Sequence, residues 1–598
     1  MTIPRGPLLL ALGVTLTLDV LRVFLPSLIT LFGRAGETPP ELMGLYAAAW
    51  FVAPFLAMLV KPRWALAGGA AVLLLSRLLL QSGVEQLYVA SAGVTAALVF
   101  LYGCARTLPR SDVAPGLAGG VALSFGVHFL LDGVDLVWRD GLIPWLAALT
   151  LCAAFVSLVR LPPPAPSLAP WSTWFLAMPV VLIAGMVTTS WAKPSPGPGL
   201  GVFYVAGICV ALVAMPVLAT RPSRSPWYAG IAAFLCVFFT FVTLSEESPV
   251  VPVAVLPALA VLLAVTAREG LPTGRPGVAL LGGGLVFLVG LFGYYASYDL
   301  DLGFPNQVIP VAVSVMIAVV ALVSFFRHRT PRYALGRIWP VFAVGALLAG
   351  LVGVVSYQPN PQVTAKQGDT FTLIAYNVRM GYGLDGRLSL DDIAAWAASK
   401  NPDVVLLSEV DRGWFLNGGH DGLARIARGL GMRYWFAPAA DNVWGEALLT
   451  NLPVVSVTSH KLGKHDYPTG AQAQEIVLKV GDREVGIVNT HLQAPDGQAP
   501  EAAAIARRLA DTGRPVLLAG DLNTRPQDPA MRVLEQAGLT DPLLALGDPP
   551  TSPADAPRER IDHVLLGKGL TALSAEAPRV PFSDHLPVVA SVRVTSGG

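Results

Sequence analysis

Five short blocks late in the chain each run from apolar residues into polar ones: Leu373–Asn377, Val404–Glu409, Val488–His491, Leu517–Asn523 and Phe582–Pro587. A strand buried on both faces reads as a continuous apolar run, and the residues at its end project into the mouth of a sheet. These ends deliver Asn377, Glu409, His491, Asp521, Asn523, Asp584 and His585; Asp562 stands just ahead of another apolar run. The inventory suits a divalent cation and an activated water attacking phosphorus. Such hydrolysis needs neutralised charge at phosphorus, a deprotonated water, and an acid or cation at the leaving oxygen.

Each residue type has a part it can play. Glu409 offers a hard carboxylate oxygen, a natural magnesium ligand. Asp521 and Asn523 lie two apart at a strand end and can face one side. There a carboxylate can take a water proton while an amide donates to a phosphoryl oxygen. Asp584 and His585 are adjacent and should point opposite ways, so each reaches a different partner, and Asp584 could orient His491.

In chain order these motifs resemble the endonuclease/exonuclease/phosphatase superfamily, the metal-dependent phosphoesterases related to deoxyribonuclease I and neutral sphingomyelinases. The resemblance covers roughly 371–594 and rests on Asn377, Glu409, Asn489-Thr-His-Leu492, Gly520-Asp-Leu-Asn523, Ile561-Asp562 and Ser583-Asp-His-Leu-Pro587. It implies a four-layered α/β sandwich of two packed sheets. It also implies Mg²⁺ or Mn²⁺ held by Glu409 with support from Asn377, and a water oriented or deprotonated by Asp521. Asn523 would bind phosphoryl oxygens, and His491 and His585 would stabilise charge or act as acid and base. Asp584 would hold a histidine tautomer, and Asp562 would complete the polar shell. The sequence departs from the pattern at Arg379, where nuclease members often carry an acid. It departs again at Pro468-Thr-Gly470, where an Arg often precedes the Gly, and at Gly445-Glu446-Ala447, where many relatives read Gly-Asn-Ala; Glu446 is read as an exposed strand residue.

The elements that must position these residues follow from periodicity. From Phe371, strands of five to seven residues alternate with amphipathic helices: strands at 403–408, 446–450, 475–480, 485–490, 515–519, 561–566 and 588–594. Helices fall near 421–430, 499–511 and 529–537, and Ser389 with Asp392 marks a further helix start. Mixed α and β of this kind implies sheets covered by helices. The segment 358–370 has linker composition.

Before it, residues 1–357 have another grammar. Only 14% of the 598 residues are charged and mean hydropathy is +0.58, so much of the chain belongs in lipid. About 13 apolar runs, from 7–32 to 338–357, are long enough to cross about 30 Å of hydrocarbon as helices. Alternate breaks between them carry Arg5, Lys61, Arg63, Arg106, Arg110, Arg160, Arg221, Arg224, Arg268, Arg275, Arg327, Arg329, Arg332 and Arg337; the others carry Glu85, Glu246, Glu247, Asp299 and Asp301. The positive-inside rule places the N-terminus in the cytoplasm, and an odd number of crossings puts the C-terminal domain outside a cell membrane. Within the spans, Asp19 and Arg22 are spaced to pair, and His128, Asp132 and Asp135 share a face near the end of the fifth run.

The architecture resembles the eukaryotic membrane proteins of glycosylphosphatidylinositol-anchor lipid remodelling, through Asp411–Gly419 and Ala437–Asn442. The resulting expectation is a membrane phosphoesterase acting on a lipid or glycolipid headgroup. Its rivals are a tethered nuclease and a non-catalytic lipid-binding or transport protein. The part before Ala365 holds 19 basic and 13 acidic residues, the rest 22 and 27, and an acidic domain without a Lys/Arg run is a poor nucleic-acid binder. The four cysteines, Cys104, Cys152, Cys209 and Cys236, all precede it, which excludes a disulfide framework or Cys-based zinc site there.

Overall fold

Long apolar runs bounded by Pro, Gly and Arg become helices because only a helix satisfies every backbone polar group within its own segment. The structure, a computed structural model, describes all residues except 1–4, 34–37, 160–164, 194–200, 221–225, 246–252, 328–338, 356–360 and 596–598. Among the residues read for orientation, Arg160, Arg221, Arg224, Arg329, Arg332, Arg337, Glu246 and Glu247 lie outside the described residues, as does 358–360 of the linker.

The helices are α1 (Arg5–Ser27), α2 (Pro40–Val52), α3 (Pro62–Gln81), α4 (Gln86–Ala105), α5 (Arg110–Leu130), α6 (Leu142–Leu158) and α7 (Trp171–Thr189). They continue as α8 (Gly201–Ala219), α9 (Pro226–Leu244), α10 (Val255–Thr266), α11 (Pro276–Ala296), α12 (Val308–Arg327) and α13 (Trp339–Val355). Among the described residues, nine helical stretches are long and apolar enough to cross a membrane, and four apolar helices are shorter. The run at 250–267 is no full crossing among the described residues: α10 has 12 residues, about 18 Å at the helical rise. All four cysteines are buried and unpaired.

The C-terminal part forms two sheets. Strands β1 (Thr370–Asn377), β2 (Val404–Asp411), β3 (Arg433–Ala440), β4 (Trp444–Thr450), β5 (Val454–Leu462) and β6 (Ala471–Val480) come first. Then follow β7 (Arg483–Thr490), β8 (Val516–Asp521), β9 (Asp562–Leu566), β10 (Leu570–Glu576) and β11 (Val588–Val594). One sheet runs β10-β11-β1-β2-β4-β3, the other β5-β6-β7-β8-β9. Alternation along β1 explains the layering: Phe371, Leu373 and Ala375 enter the core between the sheets, while Ile374 and Tyr376 face outward. That outer face is covered by α14 (Leu390–Ser399) and α15 (Gly422–Leu430); α16 (Pro495–Ala510) and α17 (Pro529–Gln536) cover the second sheet. The result is the four-layered sandwich. Ser389 does precede α14, yet its side chain makes no capping bond.

The first sheet, α14, α15 and the membrane-type helices share one continuous apolar core. Phe415 sits at the join, its ring 6.4 Å from both Phe125 and Phe287. Polar contacts surround it. Arg379 donates to the Thr30 carbonyl, Gln86 to that of Gly386, and the Tyr295 hydroxyl accepts from the Phe415 amide. Asp441 receives Lys193 at 3.0 Å and the Tyr294 hydroxyl at 2.8 Å. These contacts come from the ends of α1, α7 and α11 and the start of α4, so the sandwich sits at one end of the bundle. Arg110 and Glu269, which join the start of α5 to the break after α10, mark the other end.

The charged groups within the helices are structural partners. Arg22 bonds Asp19 at 3.2 Å and Asp135 at 2.6 Å, and Arg77 reaches Asp19. The shared face expected of His128, Asp132 and Asp135 does not form, because α5 stops at Leu130 and the chain turns. His128 bonds Asp135 and faces the Gly419 carbonyl, whereas Asp132 leaves the bundle to pair with Arg425 and Arg428 of α15.

Candidate active site

The strand ends converge as their polar tips suggest. Asn377, at the end of β1 and 1% exposed, donates from one amide nitrogen to Glu409 at 3.1 Å and to Asp521 at 2.9 Å. That nitrogen ties the two sheets' carboxylates together. Glu409 lies where β2 carries two residues opposite one of β4, a bulge that turns it to a φ of +53°. Bulges of this kind re-aim side chains beside active sites, and this one lifts the carboxylate out of the strand's alternation. Burial raises its pKa, with His491 and His585 opposing.

Asp521 ends β8 after Gly520, where a side chain would meet the Thr490 carbonyl at 2.0 Å. Only Gly allows the approach of β7 that brings His491 within 3.5 Å of Asp521. Burial works against ionisation of Asp521, but the imidazoles of His585 and His491 outweigh it and hold its pKa below the ordinary value. Asp521 is therefore a charged acceptor, better suited to orienting a water than to keeping its proton.

Asn523, at a φ of +45°, spends its amide nitrogen on the Leu492 carbonyl at 2.8 Å and His491 Nε2 at 3.1 Å. In this arrangement it positions His491 rather than offering a free donor to a phosphoryl oxygen. His585 Nδ1 lies 2.9 Å from Asp562 and 3.7 Å from Asp521. Burial alone would lower the His585 pKa; these carboxylates reverse that and raise it well above the ordinary histidine value. Asp562 thus does more than fill the polar shell, because it holds His585.

Asp584 does not orient His491. Its carboxylate takes Arg379 Nε at 3.1 Å, and the same Arg379 reaches Thr30 at the end of α1. The departure from the acidic pattern at 379 is therefore a link between the site and the helices. Glu446 also corrects the reading above: it is 1% exposed, accepts a hydrogen bond from Gln472 and lies 4.0 Å from His491 Nδ1. Burial drives its pKa well above the ordinary value. The fully buried pattern of β4 is the signal that could have revealed it. Gln493, within 3.1 Å of the His491 ring nitrogens, had no signal beyond its position after the His motif.

The donor set fits a hard cation. The carboxylates of Asp521 and Asp562 offer oxygens in one cluster with the His585 ring, ligand-type atoms lying within 4.8 Å of one another. Glu409 is joined to Asp521 through Asn377, and the imidazole, held by Asp562, stays outside the donor set. The buried Oδ1 of Asp562 has no hydrogen-bond partner, as befits an oxygen with a ligand still to take. Oxygen-rich donors without thiolate suit Mg²⁺ or Mn²⁺.

Comparison with known proteins agrees with this geometry. Residues 374–585 match the Endonuclease/Exonuclease/phosphatase family, whose members hydrolyse phosphoesters and generally use divalent metal ions. No curated protein matches the chain. Among solved structures, an endonuclease/exonuclease/phosphatase from Beutenbergia cavernae is 24% identical, with 38% of this chain and 72% of that one covered and a TM-score of 0.33. The human Nocturnin catalytic domain is 20% identical over 39% and 96%, TM-score 0.31. Mannosyl-6-phosphatase Bt3783 of Bacteroides thetaiotaomicron is 17% identical over 37% and 99%, TM-score 0.32. What those proteins act on does not transfer to this chain at such identities. The two-sheet sandwich at residues 374–585 is a domain of the endonuclease/exonuclease/phosphatase family.

Proposed function

We propose that the chain is a membrane-embedded, Mg²⁺- or Mn²⁺-dependent hydrolase of a phosphodiester carried by a lipid or glycolipid headgroup, acting outside the cytoplasm. The convergence of Glu409, Asp521 and Asp562 with His491 and His585 carries this reading. Glu409, supported by Asn377, would hold the cation, which when bound supplies Lewis-acid neutralisation at phosphorus. Asp521 accepts a hydrogen bond from the attacking water and aligns it. His585, kept protonated by Asp562, faces the charge that develops on the phosphoryl oxygens. His491 is held by Asn523 and Gln493 as the second imidazole and serves the leaving oxygen. The lipid substrate draws support from the sandwich's seat on the ends of apolar helices, which keeps the site at the bilayer and raises its effective concentration for lipid. The basic breaks at the opposite end of the bundle support the outward orientation.

The test uses full-length protein in nanodiscs, assayed with Mg²⁺ and with chelator against phospholipids, glycolipids and nucleic acid. Metal-dependent release of headgroup with nucleic acid intact is the expected outcome. Release of acid-soluble nucleotides with lipid intact would establish a tethered nuclease instead. Full function in cells of Glu409→Gln would favour a binding module.

A further inference from the structure

Between the sandwich and the bundle lies a cavity of about 490 Å³, a size that holds a drug-sized ligand. Its two ends differ in chemistry. Glu409, Arg379, Asn417 and Gln493 line it on the catalytic side, whereas Leu28, Ile29, Met43 and Phe292 line it on the helix side. Between them stand Trp414 and Trp444, stacked with ring centroids 5.7 Å apart. Both indole N–H groups are buried and have no hydrogen-bond partner, and Trp444 is 7% exposed. These N–H groups are closed off from the cavity, so the two rings meet an occupant through their carbon surface and form an aromatic waist between its polar and apolar ends.

The apolar end lies behind a helix whose outer face is exposed and apolar. Met43 belongs to α2, and on the same helix Leu42 and Leu45 are 49% and 67% exposed. The span that contains α2 has 22% of its apolar window buried, against 78% for the span of α1. On that side the cavity wall is one helix thick, and the outer face of that helix is apolar and exposed. A water-soluble phosphate ester has no use for Leu28, Ile29, Met43 and Phe292.

We propose that this cavity binds a membrane phospholipid, with the phosphate beside Glu409, the glycerol region against the rings of Trp414 and Trp444, and the start of a hydrocarbon chain between Ile29, Met43 and Phe292. This rests on the hydrolase reading for what happens at Glu409, but it assigns the helices a new part: they form half of the lipid site. The chain enters past α2 from the bilayer.

Binding of ethyl-, octyl- and dodecylphosphonate to full-length protein in nanodiscs, corrected for empty nanodiscs, tests this without turnover. Affinity should rise at least about tenfold from ethyl to octyl as methylenes leave water. Met43→Trp or Ile29→Trp, which fill the apolar end, should remove that gain, while Leu45→Trp on the lipid face of α2 should keep it. Ethylphosphonate, which carries only two carbons, reports that each variant is folded. Affinity independent of chain length, or a gain that survives both plugs, would overturn the assignment. A chain-length gain in a protein that hydrolyses nothing would leave the lipid site standing and defeat the hydrolase reading alone.

Discussion

At Asp562 one carboxylate sets the state of the site's most strongly shifted histidine. Its Oδ2 lies 2.9 Å from His585 and, with Asp521, raises the His585 pKa against the effect of burial. A base whose folded pKa is raised keeps its proton, and the stability it contributes, below the ordinary pKa of about 6.5. It loses both only as pH climbs through the raised value. Asp562→Asn should therefore move the alkaline limb of the rate profile down towards neutrality and cut kcat about 10²- to 10⁴-fold. A pH–rate profile with circular dichroism as the folding control measures both effects; an unmoved alkaline limb would show that Asp562 does not govern His585. Legibility at this scale was uneven. Residues at strand ends can be read from their blocks, whereas a Glu taken alone belongs at the surface, so Glu446 is found only by weighing the apolar run of β4 around it. The pairing of Asp584 with Arg379 was equally hidden, because Arg379 is placed by Thr30, far off in the chain.

The element that joins the two halves is the loop after β2. Asp411 clamps it by accepting from the amides of Gly413 at 2.7 Å and Trp414 at 2.8 Å and from the Asn417 side chain at 2.7 Å. Burial pushes the Asp411 pKa up to about 7. Gly413, at a φ of +137°, approaches the end of α7 so closely that a Cβ would lie 2.1 Å from the Thr189 carbonyl. Gly413→Ala should cost about 1–3 kcal/mol from backbone strain alone and displace Trp414, lowering thermal stability in detergent together with phosphoester hydrolysis. An unchanged melting temperature would contradict the close approach. Among elements, the strands that sequence reading found are those with strong apolar runs, such as β1, β2, β8 and β11. The three it missed, β3, β5 and β10, are all edge strands, partly solvated on the whole and without a continuous apolar signature. The positive φ of Glu409 and Asn523 left no trace, as bulge and turn geometry depends on the neighbouring strand.

Across the whole molecule, the two halves share one core. The sandwich is seated on the bundle through Phe415, Asp441 and Arg379, and Glu409 opens towards a cavity that the helices help to build. Composition divided the chain into these halves, yet their joint cavity could not be read from it, since its walls come from residues between Leu28 and Gln493. The proposed chemistry requires strand ends from both sheets to create one hard-cation site at Glu409. Anomalous scattering from Mn²⁺ bound to the full-length protein tests it most directly, with electron paramagnetic resonance titration of wild type and Glu409→Gln beside it. A Mn²⁺ peak is expected beside Glu409 and Asn377, lost together with hydrolysis in Glu409→Gln. A strongest peak away from this cluster, or a Glu409→Gln variant that binds Mn²⁺ and turns over substrate as the wild type does, would contradict it.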